Sequence, residues 1–304
     1  MRYVKQMRLP PNPKLSEVII AMEAAGVLGA GRLAAAVRIV REMLSSDDYT
    51  VFLCLSGPVV PGGLRCIISD LLKRKMLHAV VTNGANIVHD IAEAIGEKHI
   101  QGKMQPDDVE LFRKGTARIG DVYIKLEAFK RLEKKVHHLL SDITLEEVKL
   151  SPSTLLEKIG RKLRDDESIL YNAAAVGTPM FSPGILDSML GLHVWTYKQT
   201  RKLELDILAD MNKMADIVFE AKKTGAIILG GGIPKHFTLG AVALKGGVDA
   251  AIQITLDRPE AGSLSGAPLE EGITWGKAKA TGRLVTVISD FTIAFPMIIA
   301  GSLR

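Results

Sequence analysis

The chain has 304 residues, of which 47 % are apolar and 24 % charged, a balance that excludes a disordered polymer, a collagen-like repeat and a coiled-coil rod. That length holds one large α/β domain or two small ones, far beyond a disulfide-stapled miniature. The 39 Lys and Arg against 34 Asp and Glu give a net charge of +5, spread along the chain rather than gathered into an aromatic-interleaved patch, so no nucleic-acid partner is expected.

Residues 1–15 carry Arg2, Lys5 and Arg8 without the apolar core of a secretory signal, so a cytoplasmic address is expected. Pro10, Pro11 and Pro13 make this stretch an extended arm outside the main body. No apolar run reaches the ~18 residues of a membrane span. A helix follows over 33–44, then a buried strand over 51–55, ending in Ser56-Gly57-Pro58 and continuing to Gly62-Gly63. Cys54 and Cys66 fit neither zinc spacing nor a redox CxxC, so reduced thiols and no metal are expected. A second strand, 79–82, runs into Asn83-Gly84-Ala85-Asn86. The window 124–140 reads as a helix with Leu126, Phe129, Leu132, Val136 and Leu139 inward and a basic solvated face; His137 and His138 lie on it as surface residues, and His78 is structural.

A short strand at 179–181 precedes Asp187, which could accept from ribose hydroxyls or cap a helix. The window 203–223 reads as a helix with Leu203, Ile207, Met211, Met214 and Val218 on one stripe. Strand 226–229 ends in Gly230-Gly231-Gly232, followed by His236, a general acid or base or a turn cap. Strand 250–254 precedes the loop Gly262-Ser263-Leu264-Ser265-Gly266 and then Glu271 to Lys277. There an indole and an amine flank one glycine, and a lysine desolvated beside Trp275 would have a lowered pKa and become an imine-forming nucleophile. The last strand, 284–288, leads to Asp290, open to the same two readings as Asp187.

Short buried runs alternating with amphipathic windows predict an α/β fold with a doubly wound, mostly parallel sheet. In such sheets ligands bind at the carboxyl ends of strands, where these Gly-rich turns lie. None of the turns is a GxGxxG or Walker A motif. With no internal repeat or Gly/Pro/Ser-rich linker, residues 16–304 read as a single domain.

The stretches AIILGGGIPKH, DAAIQI, SGAPLEEGITWGKAKA and VISDFTIAFP, with SGPVVPGGLR, VVTNGANIVHD and MFSPGILDSMLG before them, resemble the deoxyhypusine synthase family in order and spacing. The resemblance implies a Rossmann-like domain, NAD as cofactor and a homotetramer with active sites between paired subunits. It also implies a reaction: an aminobutyl group passes from spermidine, a small amine donor, to a lysine of the hypusine-containing translation factor. NAD takes a hydride, an enzyme lysine holds the fragment as an imine, and the hydride returns.

On that resemblance Lys277 is the covalent lysine and His236 the active-site histidine, with Glu271 and Trp275 as acid and wall of the amine pocket. The cofactor positions are Gly57, Pro58, Val60, Asn83, Gly84, Ala85, Asp187, Gly231, Ser265 and Asp290. The family's acids are missing at three places, where this chain has Val88 and His89, Leu192, and Leu264. Burying ammonium groups without carboxylates is costly, so a less cationic or differently shaped donor is expected, with His89, Leu192, Gly262, Ser263 and Leu264 shaping its pocket. Two alternatives stand beside this: a homospermidine-synthase-like or other amine-oxidising paralogue, and a non-catalytic NAD-binding protein.

Overall fold

The computed structural model describes residues 3–303. Helices α1 (Leu15–Ala25) and α2 (Leu28–Ser45) lead into β1 (Tyr49–Leu55), α3 (Arg65–Lys73), β2 (Ala79–Thr82) and α4 (Gly84–Ala94). Next come β3 (Ile100–Gln101), α5 (Asp108–Arg113), β4 (Thr116–Ile119), β5 (Val122–Lys125), α6 (Leu126–Thr144), β6 (Lys149–Leu150), α7 (Pro152–Lys162) and α8 (Ile169–Val176). The chain continues through β7 (Met180–Phe181), α9 (Met189–Lys198), β8 (Glu204–Leu205), α10 (Ala209–Glu220), β9 (Lys223–Leu229) and α11 (Gly232–Ala243). It ends with β10 (Val248–Thr255), α12 (Glu271–Thr274), β11 (Ala278–Ile288) and α13 (Phe291–Ser302). Contacts group these elements into two compact units, one built from the residues up to Ser56 and from Asn212 on, the other from Gly57 to Met211.

In the first unit four strands run parallel in the order β11–β10–β9–β1, with Ile252 facing Ile227 on one side and Val285 on the other. Strands β1, β9 and β10 are buried along nearly their whole length, as continuous apolar runs must be when helices cover both faces. Helices α2 and α11 each pack on β1 and β10, and α13 packs on α2. Phe52 and Phe295 are fully enclosed, so truncating either to Ala costs about 3–5 kcal/mol. The α/β class with mostly parallel strands is as the periodicity predicts.

In the second unit β2 pairs in parallel with β7, β3–β5–β4 form a small antiparallel sheet, and β6 pairs with β8. Its centre is polar. Buried Arg65 donates to Asp90 and Asp165, both at 2.6 Å, and Asp90 also accepts from Ser168 Oγ and from the amides of Ile169 and Leu170. Asp90 on α4 thereby satisfies the free amides at the start of α8.

Several boundaries differ from the sequence reading. The helix predicted over 203–223 begins at Ala209, because Leu203 leads into β8, whose Glu204 amide bonds to Val148 O at 2.7 Å. Ile207 and Met211 are consequently exposed, and Met214 and Val218 remain as the buried stripe. Ile124 belongs to β5, so that helix starts two residues later, at Leu126. Residues 3–14 contain no helix or strand and are exposed. No single helix among the described residues is long and apolar enough to cross a membrane.

Candidate active site

The first unit assembles its site from three strand ends. Beyond β9, Gly230 and Gly232 take φ of +75° and +57°, a region glycine enters without steric cost. Gly231 is extended but tightly approached: a Cβ there would lie 2.5 Å from Ser265 Cα. Ser56, at the end of β1, donates to Gly231 O at 2.5 Å, and Ser265 Oγ accepts from Gly232 N at 2.9 Å. The triple glycine thus lets two neighbouring loops close onto bare backbone.

Helix α11 starts there and carries Lys235 and His236. After β10, the loop through Gly262, Leu264 and Ser265 leads to the single turn α12, then to Trp275, Gly276 and Lys277, whose amide bonds back to Gly272 O at 2.8 Å. The result is a pocket of about 330 Å³ whose lining includes Lys235, His236, Leu264, Glu271, Trp275 and Lys277. Lys277 Nζ lies 3.3 Å from His236 Nδ1 and 5.6 Å from the centre of the Trp275 ring. An amine touching an imidazole over an indole wall can exchange its proton while its alkyl chain stays packed.

The sequence reading expects Lys277 to be the desolvated lysine; instead Lys277 is half-buried, and the enclosed amine is Lys235, only 2 % exposed. Lys235 Nζ donates to Gln253 Oε1 (2.9 Å), Leu264 O (3.0 Å) and Ala267 O (2.7 Å). Gln253 Nε2 in turn donates to Gly230 O and Ser265 O. Burial pushes the Lys235 ammonium down to about 8; Glu271 acts against this and the Lys277 charge adds to it. The pair laces the 264–267 loop to the glycine turn. Lys235, Thr238, Leu239 and Val242 are all buried on α11, an i, i+3, i+4, i+7 stripe that marks Lys235 as inward-facing in the sequence itself.

Other expected residues have different settings. Gly262 lines the pocket, whereas Ser263 Oγ folds the loop by accepting from Gly266 N at 3.1 Å. Asp290 caps α13, its Oδ1 accepting from Thr292 N and Oγ1 at 2.7 and 2.8 Å. Buried Cys54 gives a hydrogen bond to Thr238 Oγ1, and burial pushes its thiol up to about 12. Among the described residues no cluster of His, Cys, Asp or Glu could hold a metal ion.

In the second unit, Gly57 and Pro58 are exposed at the start of a loop pinned by buried Asn86, whose Oδ1 accepts from Val59 N and Val60 N. Asn83 caps α4 through Asn86 N at 3.0 Å, leaving Gly84 and Ala85 in the first helical turn, where amides suit an anionic group. Gly84 is closely approached as well, since a Cβ would lie 2.2 Å from Ser188 Oγ. Asp187 is exposed, and Ser188 rather than Asp187 caps α9. Leu192 is exposed on that helix. His89, on α4, bonds through Nδ1 to His99 Nε2 at 2.9 Å, and His99 Nδ1 lies 2.6 Å from Glu93 Oε1. Nothing in the local sequence pattern flags this contact.

Comparison with known proteins supplies the remaining finding. A family model described as deoxyhypusine synthase matches residues 17–302. A protein of Methanothermobacter thermautotrophicus named "Probable deoxyhypusine synthase" is 45 % identical over 300 residues, covering 99 % of this chain and 97 % of that one. One of the same name from Methanopyrus kandleri is 46 % identical over 284 residues, covering 93 % and 92 %. A crystal structure assigned to a deoxyhypusine synthase of Entamoeba histolytica superposes with a TM-score of 0.69 at 18 % identity, covering 98 % and 96 % of the two chains.

Proposed function

The chain belongs to the deoxyhypusine synthase family, a family of aminobutyl transferases, and from that premise we propose an NAD-dependent reaction that runs through an imine on Lys277. The observation that carries this reading is the contact of Lys277 Nζ with His236 Nδ1 over the Trp275 ring. In it, His236 takes a proton from the Lys277 ammonium, freeing the lone pair that would attack the donor carbon once that carbon has given up a hydride. As the new C=N bond to Lys277 forms, the carbon's bond to the remaining donor nitrogen breaks and the remainder leaves as an amine carrying a proton from His236. Trp275 packs on the alkyl chain of the captured fragment, and Glu271 faces a distal ammonium. Lys235 and Gln253 hold the 264–267 loop against the glycine turn and so fix one wall of the pocket.

NAD, when bound, would supply reversible hydride transfer. The close approach of Ser265 to Gly231 and of Ser188 to Gly84 leaves bare backbone at two strand-to-helix turns, a setting that fits phosphate-bearing groups. We assign cofactor contacts to Gly57, Pro58, Val60, Asn83, Gly84, Ala85, Asp187, Gly231, Ser265 and Asp290.

The family's donor is spermidine and its acceptor a protein lysine. In this pocket Glu271 is the one carboxylate beside two lysines, and Leu264 stands on the wall. An added polycation would find a single counter-charge, Glu271, in this lining, which favours a less cationic or differently shaped amine. Turnover measured across an amine panel, with and without the acceptor protein, tests this; spermidine ranking first would overturn the altered-donor part. The proposal also includes a homotetramer in the cytoplasm.

A further inference from the structure

We propose that the cleft between the carboxyl ends of α4 and α7 and the basic face of α6 binds a small ligand bearing two linked phosphates.

The cleft lies wholly within the second unit, where α6 packs on both α4 and α7. It has a volume of about 520 Å³ and is lined by Arg131 and Lys135 of α6, Lys162 at the end of α7, Arg164 just beyond it and Glu97 after α4, with Ile95 and Leu163 as apolar surface. Arg131 and Lys135 share a face because they stand four residues apart on one helix. What reads in the sequence as a solvated basic face is, over these two residues, the wall of a cleft.

The contacts inside the cleft leave an excess of positive charge. Arg131 donates through Nε to one oxygen of Glu97 and through Nη2 to the other at 2.8 Å, so the one carboxylate of the lining is already taken. Among the described residues, no carboxylate or other acceptor reaches the side chains of Lys135, Lys162 and Arg164. Lys135 and Lys162 are moreover half-buried. The dipole of α7 accounts for a cation in that helix's last turn. It does not account for Lys135 in the middle of α6, where a like charge four residues away is unfavourable. Nor do these side chains cap α4, whose Ala92 and Glu93 carbonyls accept from the amides of Glu97 and Gly96. Withdrawing ammonium groups from water without a partner costs free energy, and one anion in the cleft offsets that cost for all three cations.

Charge and size select the ligand. A phosphate monoester carries roughly −1.5 to −2 charges at pH 7, short of the three unpaired cations, whereas two linked phosphates match them and reach more than one. The volume is that of a small-molecule site, and Ile95 and Leu163 offer apolar surface to an organic substituent. NAD also carries two linked phosphates, but the turn at Asn83 and Gly84 assigned to it lies at the other end of α4, about 15 Å away. The cleft is therefore a separate site, and its assignment does not depend on the chemistry of Lys277.

Calorimetric titration at low salt with inorganic pyrophosphate, orthophosphate and NAD tests the assignment. Pyrophosphate should bind at least ten-fold more tightly than orthophosphate, with or without excess NAD. Lys135→Gln and Lys162→Gln should each weaken it roughly ten-fold, the scale of one lost charged hydrogen bond, while the Kd for NAD stays unchanged. Lys134→Gln removes an exposed charge outside the cleft and should change nothing; Glu97→Gln, which releases Arg131, should tighten pyrophosphate binding. Pyrophosphate affinity within two-fold in both lysine variants would overturn the site, and so would an equal loss in Lys134→Gln. Displacement of pyrophosphate by NAD, or a weakened NAD Kd in the same variants, would give the cleft to the cofactor and equally overturn it. Should the variants fail to fold, lysine acylation of the unmodified protein decides. Pyrophosphate should protect Lys135 and Lys162 and leave Lys134 reactive, and uniform protection or none contradicts the proposal.

Discussion

A lysine serves as an imine-forming nucleophile only when a neighbour can take its proton, and Lys277 has that neighbour in His236, 3.3 Å away. The roles of the two lysines in the pocket differ accordingly. Lys235 is enclosed with three oxygen acceptors, which suits it to holding a loop rather than to attack. Because its folded pKa, about 8, lies below the ordinary lysine value, the unfolded chain binds more protons between those two pH values. Stability relative to a Lys235→Met variant should therefore rise as pH climbs from about 8 through the ordinary lysine range, and the burial penalty should be fully present below that window. Urea unfolding of both proteins at pH 7 to 10 checks this; parallel curves would contradict the burial of this amine. Lys277, Trp275 and His236 are legible in the sequence because they cluster in two short segments. Lys235 is legible too, but only through the buried stripe of its helix. The Glu93–His99–His89 contact is not, since a turn of chain that carries no motif closes it.

Among the elements, the strand ends do the positioning. Gly231 has an extended backbone that any residue can adopt, so its requirement is spatial: a methyl there meets Ser265 Cα. Gly231→Ala should displace the 262–267 loop and cost about 1–3 kcal/mol. It should also weaken amine and NAD binding together, as read by urea midpoint and by titration. Unchanged stability and binding would show that the loop has slack. Strands β1, β2, β9 and β10 are well forecast because buried parallel strands are continuous apolar runs. In contrast, β11 begins at Ala278, six residues before the expected 284, since its first half is partly exposed, and the short β3, β4, β5, β6 and β8 are not anticipated. The start of α10 is missed because a two-residue strand, β8, borrows its pairing from β6, a distant partner that local periodicity cannot register.

At the scale of the molecule, no linker separates the two units because the first is made from both ends of the chain, with the second inserted between Ser56 and Asn212. A search for a single Gly- or Pro-rich boundary cannot reveal such an arrangement. Leu186, Met189, Leu192 and Trp195 are all exposed at and just before α9, and exposed apolar side chains recurring along one short stretch are what the proposed self-association would cover. Trp195→Asp should lower the assembly mass in sedimentation while leaving far-UV ellipticity intact; an unchanged mass would place the contact elsewhere.

The central claim is that Lys277 holds the transferred carbon fragment. Incubation with NAD and an amine panel, borohydride reduction and peptide mass mapping test it most directly. The account predicts a mass increase on the peptide containing Lys277 that is dependent on both NAD and amine. In Lys277→Arg that adduct should be absent and turnover lower by on the order of 10³-fold or more, with NAD binding retained. An adduct on another residue, or an undiminished one in Lys277→Arg, would contradict it.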